Sequence, residues 1–141
     1  MKTIISSLFA AAFVLSASLS MAADPAHVEQ LKKTGKCIKC DLRGAFMFGA
    51  DLITANLRGS NLRGADLRKA NLSFANLSFV NLRGANLRGA ILDNTKLVRA
   101  DLVGADLRDA IMVHTNVRGA LFCRTRMPNG EINNRNCGYK R

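Results

Sequence analysis

Several residue types are scarce in this sequence, and each shortage excludes something. There is no tryptophan, one tyrosine and two histidines. Around His27 and His114 there is no Ser/His/Asp arrangement, no phosphate-cradling glycine loop and no His/Asp/Glu cluster at ligand spacing, so both read as surface residues. No catalytic residue, cofactor site or metal site is therefore expected, and the chain does not read as an enzyme. After residue 22 no apolar run is long enough to span a membrane. Carboxylates are few: 10 Asp and Glu stand against 21 Lys and Arg, for a net charge of +11. That imbalance favours polyanionic partners such as nucleic acid, anionic lipid or anionic polysaccharide, and says nothing about fold.

What is present begins with a leader. Lys2 opens the chain, an apolar run interrupted only by serine extends from Ile4 to Leu19, and Ser20-Met21-Ala22 supplies small residues at the −3 and −1 positions of a cleavage site. Residues 1–22 read as a secretory signal peptide, with a transmembrane anchor as the competing reading. The expected destination is the periplasm or the extracellular space, after cleavage before Ala23. Residues 23–39 then read as a short helical cap. Asp24 is placed as N-cap with Pro25 at the first helical position, Val28 and Leu31 share a face, and Gly35 is a natural stop. A helix of about ten residues is marginal alone and needs a surface to lie on.

From Cys40 to Met127 an apolar residue recurs every fifth position, from Leu42 through Leu67 and Leu87 to Met127, without a slip. Two residues before each centre stands a small residue, usually alanine, and one residue before it usually Asn or Asp. A period of five fits neither the 3.6 of a helix nor the 2.0 of a strand. A strict short period signals a solenoid, because no single unit can bury its own apolar residues. Glycines after the arginines, such as Gly44, Gly64 and Gly84, suit corners.

The repeated A-[DN]-L-x-x pattern, as in Ala65-Asp66-Leu67 and Ala85-Asn86-Leu87, resembles the pentapeptide-repeat family. The resemblance covers residues 40–127. It implies an all-β fold: a right-handed quadrilateral parallel β-helix with four pentapeptides per coil, about four to five coils and about 20 Å long at a strand spacing of about 4.8 Å. Residues twenty apart then stack. On the first face Arg43, Arg63 and Arg83 align, followed by Val103 and Cys123; on the second, Arg68, Arg88 and Arg108 align beneath Phe48. These two arginine ladders are the candidate anion-binding strip, with a merely solvated surface as the competing reading. On the third face Ile53, Phe74, Ile91, Ile111 and Val113 gather as a candidate contact surface for a partner or a second copy, unless other segments cover it. The fourth face carries Arg58, Ser78, Val98 and Arg118, with Phe79 and Arg99 toward its corner. The asparagines in register, Asn61 with Asn81 and Asn56 with Asn76, read as a hydrogen-bonded structural ladder rather than a ligand array.

The same coil count constrains the cysteines. Cys40 and Cys123 would lie about 19 Å apart along the rod, beyond the ~7 Å Cα separation that a disulfide allows. In an oxidising compartment this leaves Cys37–Cys40 and Cys123–Cys137. A redox role for Cys37-Ile38-Lys39-Cys40 and a zinc site are the alternatives there; the first lacks a βαβ context and the second lacks nearby ligands. Exported family members carry a similar Cys-x-x-Cys, which supplies no chemistry. Pro128 and Asn129-Gly130 end the repeat, leaving 128–141 as a polar C-terminal cap. The expected function is a non-enzymatic exported scaffold that binds an unknown protein or anionic polymer through the arginine ladders, with possible pairing of copies through the apolar face. The thiol–disulfide redox role of Cys37 and Cys40 is the alternative. DNA mimicry, which some family members use to protect gyrase, needs a negative surface and a cytoplasmic address, and this chain offers the opposite of both.

Overall fold

The computed structural model describes residues 22–138. The expected leader lies outside the described residues except for Ala22. The first element, α1 (Pro25–Thr34), has the predicted caps: Asp24 accepts a hydrogen bond from the Ala26 N–H at 2.9 Å, and Gly35 closes the helix in the left-handed conformation with its N–H on the Leu31 carbonyl. Leu31 is buried and Val28 packs against the core beside it. Two short strands, β1 (Thr125–Arg126) and β2 (Ile132–Asn133), pair antiparallel near the C-terminus.

Between α1 and β1 the backbone repeats every five residues, and parallel bridges join residues twenty apart, from Lys36↔Asn56 to Asp106↔Arg126. Four pentapeptides therefore make one coil. The bridges begin at Lys36, one unit before the start expected from the leucines. Cys37, wholly buried, takes the central position there. A cysteine in place of leucine hides that unit from a pattern keyed to leucine.

Asn81–Ala85 shows why the period is five. The Asn81 N–H bonds the Ser60 carbonyl of the coil before, and the Leu82 and Gly84 N–H groups bond the Asp101 and Val103 carbonyls of the coil after. The Ala85 N–H closes a tight turn on the Leu82 carbonyl at 3.0 Å. That leaves the Arg83 N–H, which donates to Oδ1 of Asn81 at 3.1 Å. All five amide donors are satisfied, as a buried backbone requires. The same side-chain bond recurs at Asp41, Asp51, Asn56, Asn61, Asp66, Asn71, Asn76, Asn86, Asp101, Asp106 and Asn116.

This corrects the expected asparagine ladder. Asn56, Asn61, Asn76 and Asn81 use Oδ1 within their own unit, as Asx turns, and among the described residues no side-chain bond joins asparagines of successive coils. Only an acceptor oxygen is needed, which is why Asp serves as well as Asn.

Each corner places its second residue at positive φ. Glycine holds many of these positions, yet Lys39, Thr54, Lys69, Phe74, Phe79, Asn94, Arg99, Asp109, His114 and Arg124 occupy others with φ between 52° and 61°. A left-handed residue with a Cβ costs about 1–2 kcal/mol, so about half the corners are held by the stack rather than by local preference.

The interior is a column of leucines from Leu57 to Leu107, faced by alanines, with no water-accessible gap on the leucines. Where threonine replaces the alanine, its hydroxyl donates to the carbonyl of a core leucine in the coil before: Thr95 to Leu72, Thr115 to Leu92 and Thr125 to Leu102, at 2.7–2.8 Å. At the C-terminal end the chain folds back beneath the first and second faces. Asn136 exchanges bonds with the Phe122 backbone, and Asn134 accepts from the Arg124 N–H. Among the described residues the third and fourth faces end without that cover, and Val117 is 37% exposed. Substituting a central leucine tests the column: Leu77→Ala should lower unfolding free energy by about 2–5 kcal/mol, read by urea denaturation.

Candidate anion-binding surface

The register brings the ladder arginines into line as expected, but most of them already hold a carboxylate. Arg43 forks onto Asp41, with Nε and Nη2 at 2.8 and 2.6 Å from the two oxygens. Arg68 does the same to Asp66 at 2.8 and 2.7 Å, and Arg108 to Asp106 at 2.9 and 2.6 Å. Arg83 reaches Asp101 of the next coil at 3.0 Å, and Arg88 reaches Asp109 at 3.1 Å. Of the six, Arg63 alone lacks an ion pair among the described residues. In Asp41, Asp66 and Asp106 the Asp that caps its own turn with Oδ1 is thus the same Asp that receives the arginine one position after the centre. Such exposed pairs add little stability, but a bidentate pair occupies the fork an incoming anion would use.

The pairs also set the ionisation of the acids. The Arg43 fork bonded to Asp41 holds that carboxylate below its ordinary value, despite the opposing effect of burial; Arg68 does so for Asp66 and Arg108 for Asp106. The three arginines are raised in turn by the same bonds.

On the fourth face the balance differs. Its units, 36–40, 56–60, 76–80, 96–100 and 116–120, hold Lys36, Lys39, Arg58, Lys96, Arg99 and Arg118 and no Asp or Glu. Among the described residues none of these six has an ion-pair partner. Nearby carboxylates in the register lie on adjoining faces or corners: Asp41 and Asp101, committed to Arg43 and Arg83, and Asp93. Phe79, 46% exposed, lies at this corner with Arg58 at 5.2 Å and Arg99 at 5.8 Å from its ring centroid. Sequence reasoning placed Arg58, Arg99 and Phe79 here but passed over the lysines. The signal that finds them is the missing acid at the position before each centre.

The apolar residues of the third face are only partly brought together. Ile91 and Ile111 are bridge partners, with Val113 on the same unit as Ile111. Ile53 and Phe74 lie toward the other end, with Ser73 and Asp93 between Ile53 and Val113 in their column. A second apolar pair was missed. Phe46, 74% exposed, stacks on Phe48 with centroids 6.4 Å apart, and a cleft of about 390 Å³ beside them runs under Val28 and Leu31 of α1.

The cysteines pair as Cys37–Cys40 and Cys123–Cys137, with Cα separations of 5.4 and 4.8 Å. The first lies inside the first coil, 0% and 4% exposed, where the Ser60 hydroxyl donates to the Cys37 carbonyl and accepts from the Cys40 N–H. The second ties residue 137 to the last coil. Among the described residues no group of His, Cys, Asp and Glu is placed to hold a metal, and no helix is long and apolar enough to cross a membrane.

Two measurements follow from this geometry. Each lowered carboxylate contributes stability that is fully present above the unfolded value of about 4 and is lost as pH falls through the lower folded values. Unfolding free energy should therefore stay level down to about pH 4 and decline below it. In Asp41→Asn/Asp66→Asn/Asp106→Asn, which keeps the turn acceptors, that acid limb should be shallower. Burial of both sulfurs predicts that Cys37–Cys40 resists a glutathione buffer and does not reduce insulin, read by alkylation and by insulin turbidity. Rapid exchange would restore the redox reading.

Comparison with known proteins places the chain. A model of pentapeptide repeats matches eight copies across residues 36–73, 70–109, 90–122 and 100–130. A comparison with curated protein sequences finds no match. Among solved structures, HetL, a pentapeptide repeat protein involved in heterocyst differentiation regulation from Nostoc sp. strain PCC 7120, superposes with a TM-score of 0.62 at 30% identity over 70% of this chain. The match spans 43% of HetL, less than half its length. The pentapeptide repeat protein alr5209 of the same organism gives 0.55 at 34% identity, covering 71% of this chain and 76% of its own. AT2G44920, from the Arabidopsis thaliana thylakoid lumen, gives 0.53 at 28% identity, covering 71% and 74%. Such proteins are right-handed quadrilateral β-helices and generally without catalytic activity. With the repeat model matching well over half of its length and its coils closing every twenty residues, the chain belongs to the pentapeptide-repeat family.

Proposed function

We propose that this protein is a non-enzymatic, exported interaction scaffold that presents a cationic rod to an anionic partner, polymer or protein. In this reading the rod has about four to five coils, α1 covers its first end, and residues 128–138 cover part of the last. Residues 1–22 direct export to the periplasm or extracellular space. Two disulfides in so small a protein fit that address, since such bonds persist in oxidising compartments. The apolar third face offers a contact surface for a partner or a second copy.

One observation carries the anionic partner: pairing cannot neutralise this surface. The full chain has 21 cations against 10 carboxylates; without Lys2 of the leader, 20 − 10 = +10 remains even when every carboxylate is matched. The ladder arginines contribute to that field through their charge, while their aspartates hold the forks. The same sign of charge disfavours DNA mimicry. The Leu/Ala-filled interior supports binding at the surface rather than turnover in a pocket.

The test is retention of the purified protein, disulfides intact, on sulfated, carboxylated and uncharged matrices. Retention on both charged matrices at about 0.15 M ionic strength, lost as salt rises, is expected. Passage through all three at low salt would overturn the reading.

A further inference from the structure

One arrangement occurs twice on the fourth face. Lys39 and Arg99 each occupy a left-handed corner, with φ of 56° and 55°. The stem of each lies across a glycine of the next coil: a Cβ at Gly59 would meet Lys39 Cγ at 3.4 Å, and one at Gly119 would meet Arg99 Cγ at 3.2 Å. Beside those glycines stand Arg58 and Arg118. Each clasp is thus the stem of a cationic side chain laid over a bare corner of the next coil, one residue from an arginine of that coil. Each borders a surface cleft, one of about 210 Å³ reaching from Ile38 to Phe79, the other of about 500 Å³ bounded by Val98 and Gly119.

The second face carries the same device in closed form. Lys69 lies over Gly89, 3.6 Å from a Cβ built there, beside Arg88, but Arg88 bonds Asp109 at 3.1 Å. The fourth-face clasps have no such carboxylate. Among the described residues none of their four cations has an ion pair, so an anion entering there displaces no carboxylate. Phe79 stands between the clasps and takes Arg58 from the coil before and Arg99 from the coil after. Cation–π contact with both fixes their spacing along the rod.

We propose that the fourth face binds a linear anionic polysaccharide, whose sulfate, phosphate or carboxylate groups enter the clasps Lys39–Arg58 and Arg99–Arg118, about 14 Å apart at three coil rises. The assignment rests on the anionic-partner reading above. A charged sugar chain fits better than single-stranded nucleic acid, whose sequence-tolerant binding needs aromatic faces for bases to stack on. The one aromatic ring between the clasps is already engaged by guanidinium groups from both neighbouring coils. Between the clasps the face offers Asn56 and Asn76, whose Oδ1 atoms are taken by their turns and whose Nδ2 groups are donors suited to sugar oxygens.

The test compares two variants of equal charge change, both checked for folding by thermal melting: Arg58→Gln/Arg99→Gln/Arg118→Gln and Arg43→Gln/Arg68→Gln/Arg108→Gln. Each is titrated with a heparin oligosaccharide and with an oligothymidylate of matched charge at about 0.15 M ionic strength. The first variant should lose at least about tenfold in heparin affinity and the second less than about threefold. Equal losses would overturn the clasp assignment while leaving an anionic partner in place. Failure of the unaltered protein to bind either ligand would overturn both readings. Tighter binding of the oligothymidylate than of heparin would replace the polysaccharide with nucleic acid. If the first variant does not fold, Lys39→Gln/Arg118→Gln, one change per clasp and neither at a Phe79 contact, is compared with Arg43→Gln/Arg68→Gln, which removes the same charge.

Discussion

The structure depends on the accounting of backbone amides. Five residues per unit present five N–H groups, and three of them reach neighbouring coils, one closes the turn and one falls to a side chain. A unit of four or six would leave a donor without a partner or a leucine outside the column. The Asx turn is the step that makes the period close, because the donor after the central leucine points away from both neighbouring coils. Asn or Asp before the centre is thus as much a part of the backbone as the carbonyls it stands in for. Units with Lys36, Phe46, Ile91, Lys96, Ile111 or Leu121 at that position give up this bond. Most lie toward the ends or on the third face; Lys96, on the fourth, is bridged on both sides, to Asn76 and Asn116.

That constraint also shapes the surface charge. An Asp chosen for its acceptor oxygen arrives with a negative charge two residues before the outward position, and arginine there folds onto it. The first and second faces are therefore ordered in charge as well as in backbone, and all their ladder guanidinium groups but that of Arg63 are aimed by aspartates. The fourth face uses Asn, Lys or nothing acidic at the same position, so its cations are aimed by other means: a stem laid over glycine, or a ring between two guanidiniums. The difference between an occupied and an unoccupied cation follows from one position in each unit.

Much of this was legible in the sequence. The five-residue period, the helix from Asp24 to Gly35, the separation of the two cysteine pairs and the alignment of Arg43, Arg63 and Arg83 all follow from spacing, and the structure has each of them. The start of the solenoid was read one unit late because Cys37 fills a leucine's place. The arginine ladders were visible but not their pairing, since whether Arg88 meets Asp109 or an anion depends on side-chain reach across a coil. The role of the asparagines was misassigned for a related reason: a column of like residues suggests contacts along the column, whereas the hydrogen-bonding need lies within each unit. Non-glycine residues at left-handed corners, Thr54 and Phe74 among them, ran against local preference and could be placed only by the register.

The Asx turn has a consequence for chemical ageing of the surface. It requires an oxygen and is indifferent to the group on the other arm of the side chain. Hydrolysis of an asparagine amide at Asn56, Asn61, Asn76 or Asn81 to a normal aspartate would remove only the Nδ2 donor and leave the turn bond intact. The coil would keep its shape while a face gained a negative charge beside arginines. Shape and electrostatic sign are therefore separable in this rod: its charge can drift, by mutation or by deamidation, along positions where the fold registers no change.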